Sequence, residues 1–212
     1  TIVKGFTVES ELLPKSSEWK YLDNGSDQGT GWREPGFDDS KWKSGKARLG
    51  YGNDGEVTKL SFGPDENNKH ITTYFRRPLA LSETGLFDSI KLMLSRDDGA
   101  VVYLNGIELL RSNMPAKREI TFDTHASQTH DDHKFFEYTL PRKLLKPGMN
   151  VIAAEVHQGS RESSDTGFDL AIQGIKQNRT IIPRESLQTL KARTYANGAW
   201  SSLSKFPGEP RK

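Results

Sequence analysis

The run Ser89-Ile90-Lys91-Leu92-Met93-Leu94-Ser95-Arg96 alternates polar and apolar residues, and a period of two predicts a strand with one buried face. Directly after it, residues 100–104 and 107–111 flank Asn105-Gly106. That dipeptide tolerates positive φ at both central positions of a type I′ turn, so the stretch reads as a β-hairpin. Further runs rich in β-branched and aromatic residues at 19–22, 71–79, 120–123, 135–140, 151–157 and 168–172 read as strands as well. No long window places apolar residues at helical spacing, and helix is expected only in short pieces at 38–42 and 141–145. Many short strands separated by Gly, Pro, Asn and Asp clusters predict an all-β chain folded as a β-sandwich of jelly-roll type.

Beyond Gly174 the pattern changes. Residues 176–185 are polar and contain Pro183, after which 187–195 and 199–206 flank a second Asn-Gly pair, Asn197-Gly198. This is an extra C-terminal hairpin outside the sandwich. Two strands alone bury too little to be stable, so it must pack on the main body, on the N-terminal segment or on a neighbouring domain. The expected organisation is an N-terminal extension over 1–16, a jelly roll over 17–175, and a linker, hairpin and disordered tail over 176–212. A start at Thr1, without Met or a basic-then-apolar leader, suggests a mature form or a piece of a longer polypeptide.

Composition narrows the classes. Thirty Lys plus Arg against 28 Asp plus Glu give a formal net charge of +2, too balanced for a nucleic-acid arm. No stretch approaches the roughly eighteen consecutive apolar residues of a membrane-spanning helix. The absence of Cys excludes a disulfide framework, a thiolate metal site and a cysteine nucleophile. It suits secreted and cytosolic proteins equally. The sequence also contains no nucleophile elbow, phosphate loop or dinucleotide fingerprint.

Three stretches carry a resemblance as a set. The first runs from Ser17-Glu18-Trp19 through Asp23-Asn24-Gly25-Ser26-Asp27 and Trp32 to Gly36-Phe37-Asp38-Asp39-Ser40-Lys41-Trp42 and Leu49-Gly50-Tyr51-Gly52. The second is Tyr74-Phe75-Arg76-Arg77. The third is Arg96-Asp97-Asp98-Gly99-Ala100-Val101-Val102-Tyr103-Leu104-Asn105-Gly106, answered by 150–158 and Phe168-Asp169-Leu170. Together they resemble the galactose-binding-like jelly-roll domains of large secreted bacterial proteins and, more distantly, the sugar-binding domain of family 2 glycosidases. The C-terminal hairpin resembles the closing hairpin of small Ig-like modules found beside such domains. The resemblance implies a noncatalytic module, often carbohydrate-binding, sometimes only a spacer, with a structural calcium in many relatives. Its expected partners are polysaccharide or oligosaccharide and neighbouring domains of the same polypeptide, with no nucleic acid and no membrane. The expected location is secreted or cell-surface, in a bacterium.

Asp23, Asn24, Ser26 and Asp27 crowd oxygen ligands onto one Gly-containing loop, and in the resembling fold Asp169 lies close by, so these residues are a candidate calcium set. The competing reading is an Asx-rich turn whose side chains cap backbone amides. A sugar site needs an apolar ring face and planar polar groups for hydroxyls. Candidates are Trp32, Tyr51, Asn53 and Asp54; Asp65, Asn67, Asn68 and His70; and His157, Gln158, Arg161 and Asp165. Against this stands the reading that the aromatics are core and the polar residues solvated loop, which is preferred for Trp19 and Trp42. Asp97, Asp98 and Asn105 read as turn formers. The histidines of 124–133 lack zincin spacing and read as a solvated loop. The basic cluster Lys41, Lys43, Lys46 and Arg48 reads as a solvated face, with attraction of an anionic polysaccharide as the lesser alternative. Three functions remain: a noncatalytic carbohydrate-binding module, a structural spacer, and a polysaccharide-active hydrolase or lyase. Exposed aromatics beside Arg161 or His157 would favour the first, burial of Trp19, Trp32 and Trp42 the second, and a paired acidic cleft the third.

Overall fold

A computed structural model describes residues 2–52, 55–129, 134–182, 189–192, 195–196, 199–200 and 204–207. Its strands are β1 (Ile2–Leu13), β2 (Glu18–Leu22), β3 (Lys43–Lys46), β4 (Leu49–Tyr51), β5 (Thr58–Lys59), β6 (Thr72–Leu81), β7 (Ser89–Asp97), β8 (Gly99–Leu104), β9 (Ile107–Ser112), β10 (Phe136–Pro141), β11 (Gly148–His157) and β12 (Thr166–Ile182), then β13 (Thr189–Ala192), β14 (Tyr195–Ala196), β15 (Ala199–Trp200) and β16 (Ser204–Pro207). The chain divides into two compact units, Glu9–Lys176 and Thr1–Val8 with Gln177–Lys212.

The larger unit is a β-sandwich. One sheet has the order β10-β7-β12-β4-β5, with β1 also paired to β12, and the other has the order β3-β2-β6-β11-β8-β9. All pairs with assigned register are antiparallel except β4 with β5. Alternation explains the core: Ile90, Leu92 and Leu94 of β7 meet Phe75 of β6 and Ile152, Ala154 and Val156 of β11 between the sheets. At its centre Phe75 and Phe168 stack at 4.1 Å, with Trp19 edge-on to Phe168 at 5.0 Å.

The second sheet is also covered on its outer face. Tyr74, Val101, Tyr103 and Ala153 occupy positions that alternate with the inner ones and pack with Trp32, Trp42, Met114, Ile120 and Ala126. Strands β8 and β11 therefore read as nearly unbroken apolar runs. The chain passes from one sheet to the other at Asp98, between β7 and β8. The β8–β9 hairpin turns as expected, with φ of 51° at Asn105 and 84° at Gly106.

Two local expectations are corrected and a third is narrowed. Residues 120–123 form no strand; this segment lies on the outer face of the second sheet, closed into a turn by Thr121 N to Thr124 Oγ1 (2.9 Å) and Thr124 N to Thr121 O (2.9 Å). Residues 38–42 form turns rather than helix, because Asp38 Oδ1 takes the Ser40 amide (3.0 Å) and Asp39 O takes that of Trp42 (3.0 Å). The piece at 141–145 is a single 3₁₀ turn, Arg142–Leu144. Strands β1, β3, β4 and β5 carry no signal that predicts them.

In the smaller unit β13 pairs with β16 and β14 with β15, all antiparallel. The Asn197-Gly198 turn and the tail from residue 208 lie outside the described residues.

Candidate functional site

One end of the sandwich gathers four segments: the end of β4, the approach to β6, the 120–126 turn, and the loop between β11 and β12. Gln158 ties them together. Its amide donates to Ile71 O (2.9 Å), its carbonyl accepts from Ala126 N (3.0 Å), and its side-chain Nε2 donates to Tyr51 Oη (2.7 Å) and Asp165 O (2.8 Å). Around this buried joint runs a polar rim. Arg161 donates through Nη2 to Asp123 Oδ1 (3.0 Å) and through Nη1 to Lys69 O (3.3 Å), and both partners of the Arg161–Asp123 pair are exposed. Phe62, whose ring centre lies 5.6 Å from Lys69 Nζ, and Phe122, the chain neighbour of Asp123, are both half-buried. His70 is wedged in place: a Cβ at Gly25 or Gly63 would lie 2.4 Å or 2.8 Å from its ring.

Beneath the rim lies a polar cluster on the first sheet. The Arg48 guanidinium lies over Gly167, where a Cβ would come within 1.9 Å of it, and donates to Ser95 Oγ (3.2 Å). Asp98 Oδ2 accepts from Gly159 N (2.7 Å), and Asp97 O accepts from Thr166 Oγ1 (2.8 Å). Both oxygens of the Asp97 carboxylate are buried and receive no N–H or O–H from the described residues. Asp97 is thus more than the turn former its sequence suggests. It is buried because the turn is the crossover between sheets.

The expected sugar-site residues separate accordingly. Tyr51, Gln158 and Asp165 meet in this end, but Tyr51 and Gln158 are buried, and burial pushes the Tyr51 phenol up. Arg161 and His70 stand on the rim. Asn53 and Asp54 lie outside the described residues, as do His130, Asp131, Asp132 and His133. Asp65 and Asn67 form an Asx turn, with Asp65 Oδ1 accepting the Asn67 amide (2.9 Å), and Asn68 is exposed.

Trp32 and His157 are placed elsewhere, on the outer face of the second sheet. Trp32 is 0% exposed, packed against Trp42, Tyr74 and Tyr103, so no ring face is open to a sugar. His157 is fully buried with Nδ1 2.7 Å from Thr124 O and 2.9 Å from Thr72 Oγ1, holding down the covering turn. Its Nε2 faces Glu155 Oε2 at 3.5 Å. Glu155, which sequence reasoning passed over, is the buried hub here: Oε1 accepts from Tyr103 Oη (2.5 Å) and lies 3.4 Å from Arg33 Nη2. Its one sequence signal was a carboxylate inside the apolar run Val151-Ile152-Ala153-Ala154-Glu155-Val156.

Each residue of the expected calcium set spends at least one oxygen on a contact within the protein. Asp23 is committed through Oδ1 to Lys43 Nζ (2.8 Å) and through Oδ2 to Ser61 N (2.7 Å). Asn24 Oδ1 caps Ser26 (3.1 Å to N), Asp27 Oδ1 caps Gly29 N (2.8 Å), and Asp169 Oδ2 takes Ser16 N (2.9 Å). Those of Asn24 and Asp27 are the Asx-turn contacts of the competing reading. Among the described residues no group of three or more His, Asp or Glu side chains is gathered as metal ligands would be.

The fold and this loop end define a two-sheet β-sandwich module with a closed, hydrogen-bonded polar end. No protein-family pattern matches the sequence, and no curated protein matches it. Among solved structures the chain is similar to a β-glucuronidase of Bacteroides uniformis (18% identity, TM-score 0.53), over 79% of this chain and 18% of that one. It is similar to a β-glycosidase of Bacteroides vulgatus (14%, TM-score 0.51) over 93% of this chain and 27% of that one. It is also similar to a β-glucuronidase of Ruminococcus gnavus (10%, TM-score 0.52) over 95% and 38%. The fold is thus one that occurs in family 2 glycosidase structures, and the chain spans well under half the length of each.

Proposed function

We propose that this chain is a noncatalytic carbohydrate-binding module of a larger secreted or cell-surface bacterial polypeptide that acts on polysaccharide. The observation that carries this reading is the sharing of its sandwich with glycosidases of which it spans only a minor part. The exposed Arg161–Asp123 pair supplies adjacent donor and acceptor groups, the chemistry that adjacent sugar hydroxyls require. The paired acids at this end, Asp97 and Asp165, are an unpromising glycosidase pair, because Asp97 is sealed from solvent and cannot reach a glycosidic oxygen. A second reading, a spacer that orders neighbouring domains, is favoured by the burial of Trp19, Trp32 and Trp42, which leaves none of these rings free to stack on sugar.

Electrophoresis of the native protein through gels containing neutral, uronic or sulfated polysaccharides separates the two. Retardation by one polymer class is the expected result. Arg161→Ala should weaken it about tenfold, the equivalent of one charge-assisted hydrogen bond. Calcium chelation should leave it unchanged, since the Asp23 oxygens are already engaged. Free migration in every polymer would leave the spacer reading standing.

A further inference from the structure

The Asp97 carboxylate is an anomaly of burial. It is 0% exposed, and neither oxygen receives a hydrogen bond from an N–H or O–H group of the described residues. An ionised carboxylate in that position would forfeit its hydration with nothing in return. The nearby Arg48 cation offsets this only in part, through its charge and not through a hydrogen bond: it donates to Ser95 Oγ, and among the described residues its buried Nε and Nη2 meet no acceptor. The other charged and titratable groups around Asp97 are the carboxylates of Asp165 and Asp98 and the Tyr51 phenol. Asp165 is the carboxylate set beside it, since its chain neighbour Thr166 is bonded through Oγ1 to Asp97 O (2.8 Å). Two carboxylates can share that contact only if one of them keeps its proton.

We propose that Asp97 is held in the folded protein as a neutral carboxylic acid that donates its proton to the carboxylate of Asp165, and that this bond fastens the 158–166 loop to the crossover between the sheets. The bond works beside three others that span the same junction: Gly159 N to Asp98 Oδ2, Thr166 Oγ1 to Asp97 O and Gln158 Nε2 to Asp165 O. It differs from them in being lost to base. Burial first, and then the charges of Asp165 and Asp98, push the Asp97 carboxyl up to about 8. In the unfolded chain it titrates near the ordinary value of about 3.9. Between those values the folded form binds the extra proton, so its stability falls as pH rises through that window and levels off above it. The same loop carries Arg161, so the rim loses its anchorage in mildly alkaline solution.

Thermal unfolding of the wild type and of Asp97→Asn from pH 5 to pH 9 tests this. The side-chain amide that this substitution introduces can donate to Asp165 at every pH. The wild-type midpoint should therefore fall by about 5 °C or more relative to the variant between pH 5 and pH 8, and run parallel to it beyond. A constant difference across the whole range overturns the proposal. If the variant fails to fold, infrared spectroscopy of the wild type decides. A band of un-ionised carboxyl that persists at pH 7 and disappears above pH 8 supports the proposal, and its absence at pH 7 overturns it. Neither measurement involves a ligand, so the result stands apart from the carbohydrate reading.

Discussion

Glu155 shows how one side chain can organise a surface from beneath. It lies on β11 within the second aromatic cluster, and it is 2% exposed. With Tyr103 Oη at 2.5 Å and Arg33 Nη2 at 3.4 Å, it links the strand to the 3₁₀ turn Gly31–Arg33 that carries Trp32. The Arg33 guanidinium also stacks over the Tyr103 ring at 4.2 Å. Removing a buried partner strands the rest, so Glu155→Ala should lower unfolding stability by about 3 kcal/mol. Glu155→Gln, which still accepts from Tyr103, should lose about half of that. Urea titration followed by tryptophan fluorescence would measure both, because Trp32 sits in the affected cluster. Equal losses for the two variants would mean that charge, rather than the hydrogen bond, matters.

At the scale of the element, the β8–β9 hairpin rests on its turn. Asn105 adopts φ of 51° and uses its side chain twice, accepting from Val151 N (2.9 Å) and donating to Asn150 Oδ1 (3.1 Å). Asn105→Ala gives up both bonds and a residue type that tolerates this conformation, and should destabilise by about 2 kcal/mol in equilibrium unfolding. This hairpin was legible because Asn-Gly is a local signal, and β7 was legible because only one of its faces meets the main core. The short strands β3, β4 and β5 were not. Lys43-Ser44-Gly45-Lys46 has no apolar alternation, since it is a lysine-bearing edge strand paired only with β2, a sequence that resists further pairing. Residues 120–123 misled in the opposite sense, being apolar in order to cover a sheet rather than to extend it. Among site residues, Gln158 stood out as a polar end to an apolar strand. Asp97 did not, because a sequence shows a turn but not that the turn crosses between layers. Trp32 was misplaced for the same reason: nothing local announces that a sheet has a second buried face.

At the scale of the molecule, the larger unit is layered more deeply than a two-sheet sandwich requires. The second sheet has the main aromatic core on one side and the Trp32 cluster on the other, with β6, β11 and β8 at its middle. Antiparallel sheets commonly leave one face to water, and this one covers both at its centre. A strand enclosed from both sides and flanked by paired neighbours can expose its amides only when the whole unit opens. Hydrogen–deuterium exchange should therefore find its slowest amides in β11 from Val151 to His157, with protection that matches the free energy of global unfolding, and the edge strands β3 and β10 exchanging faster by local opening. If β11 exchanged as quickly as β10, the covering layer would be detaching on its own. The double enclosure of this sheet thus provides a gauge: how long its central amides keep their protons reads the free energy that holds the whole unit closed.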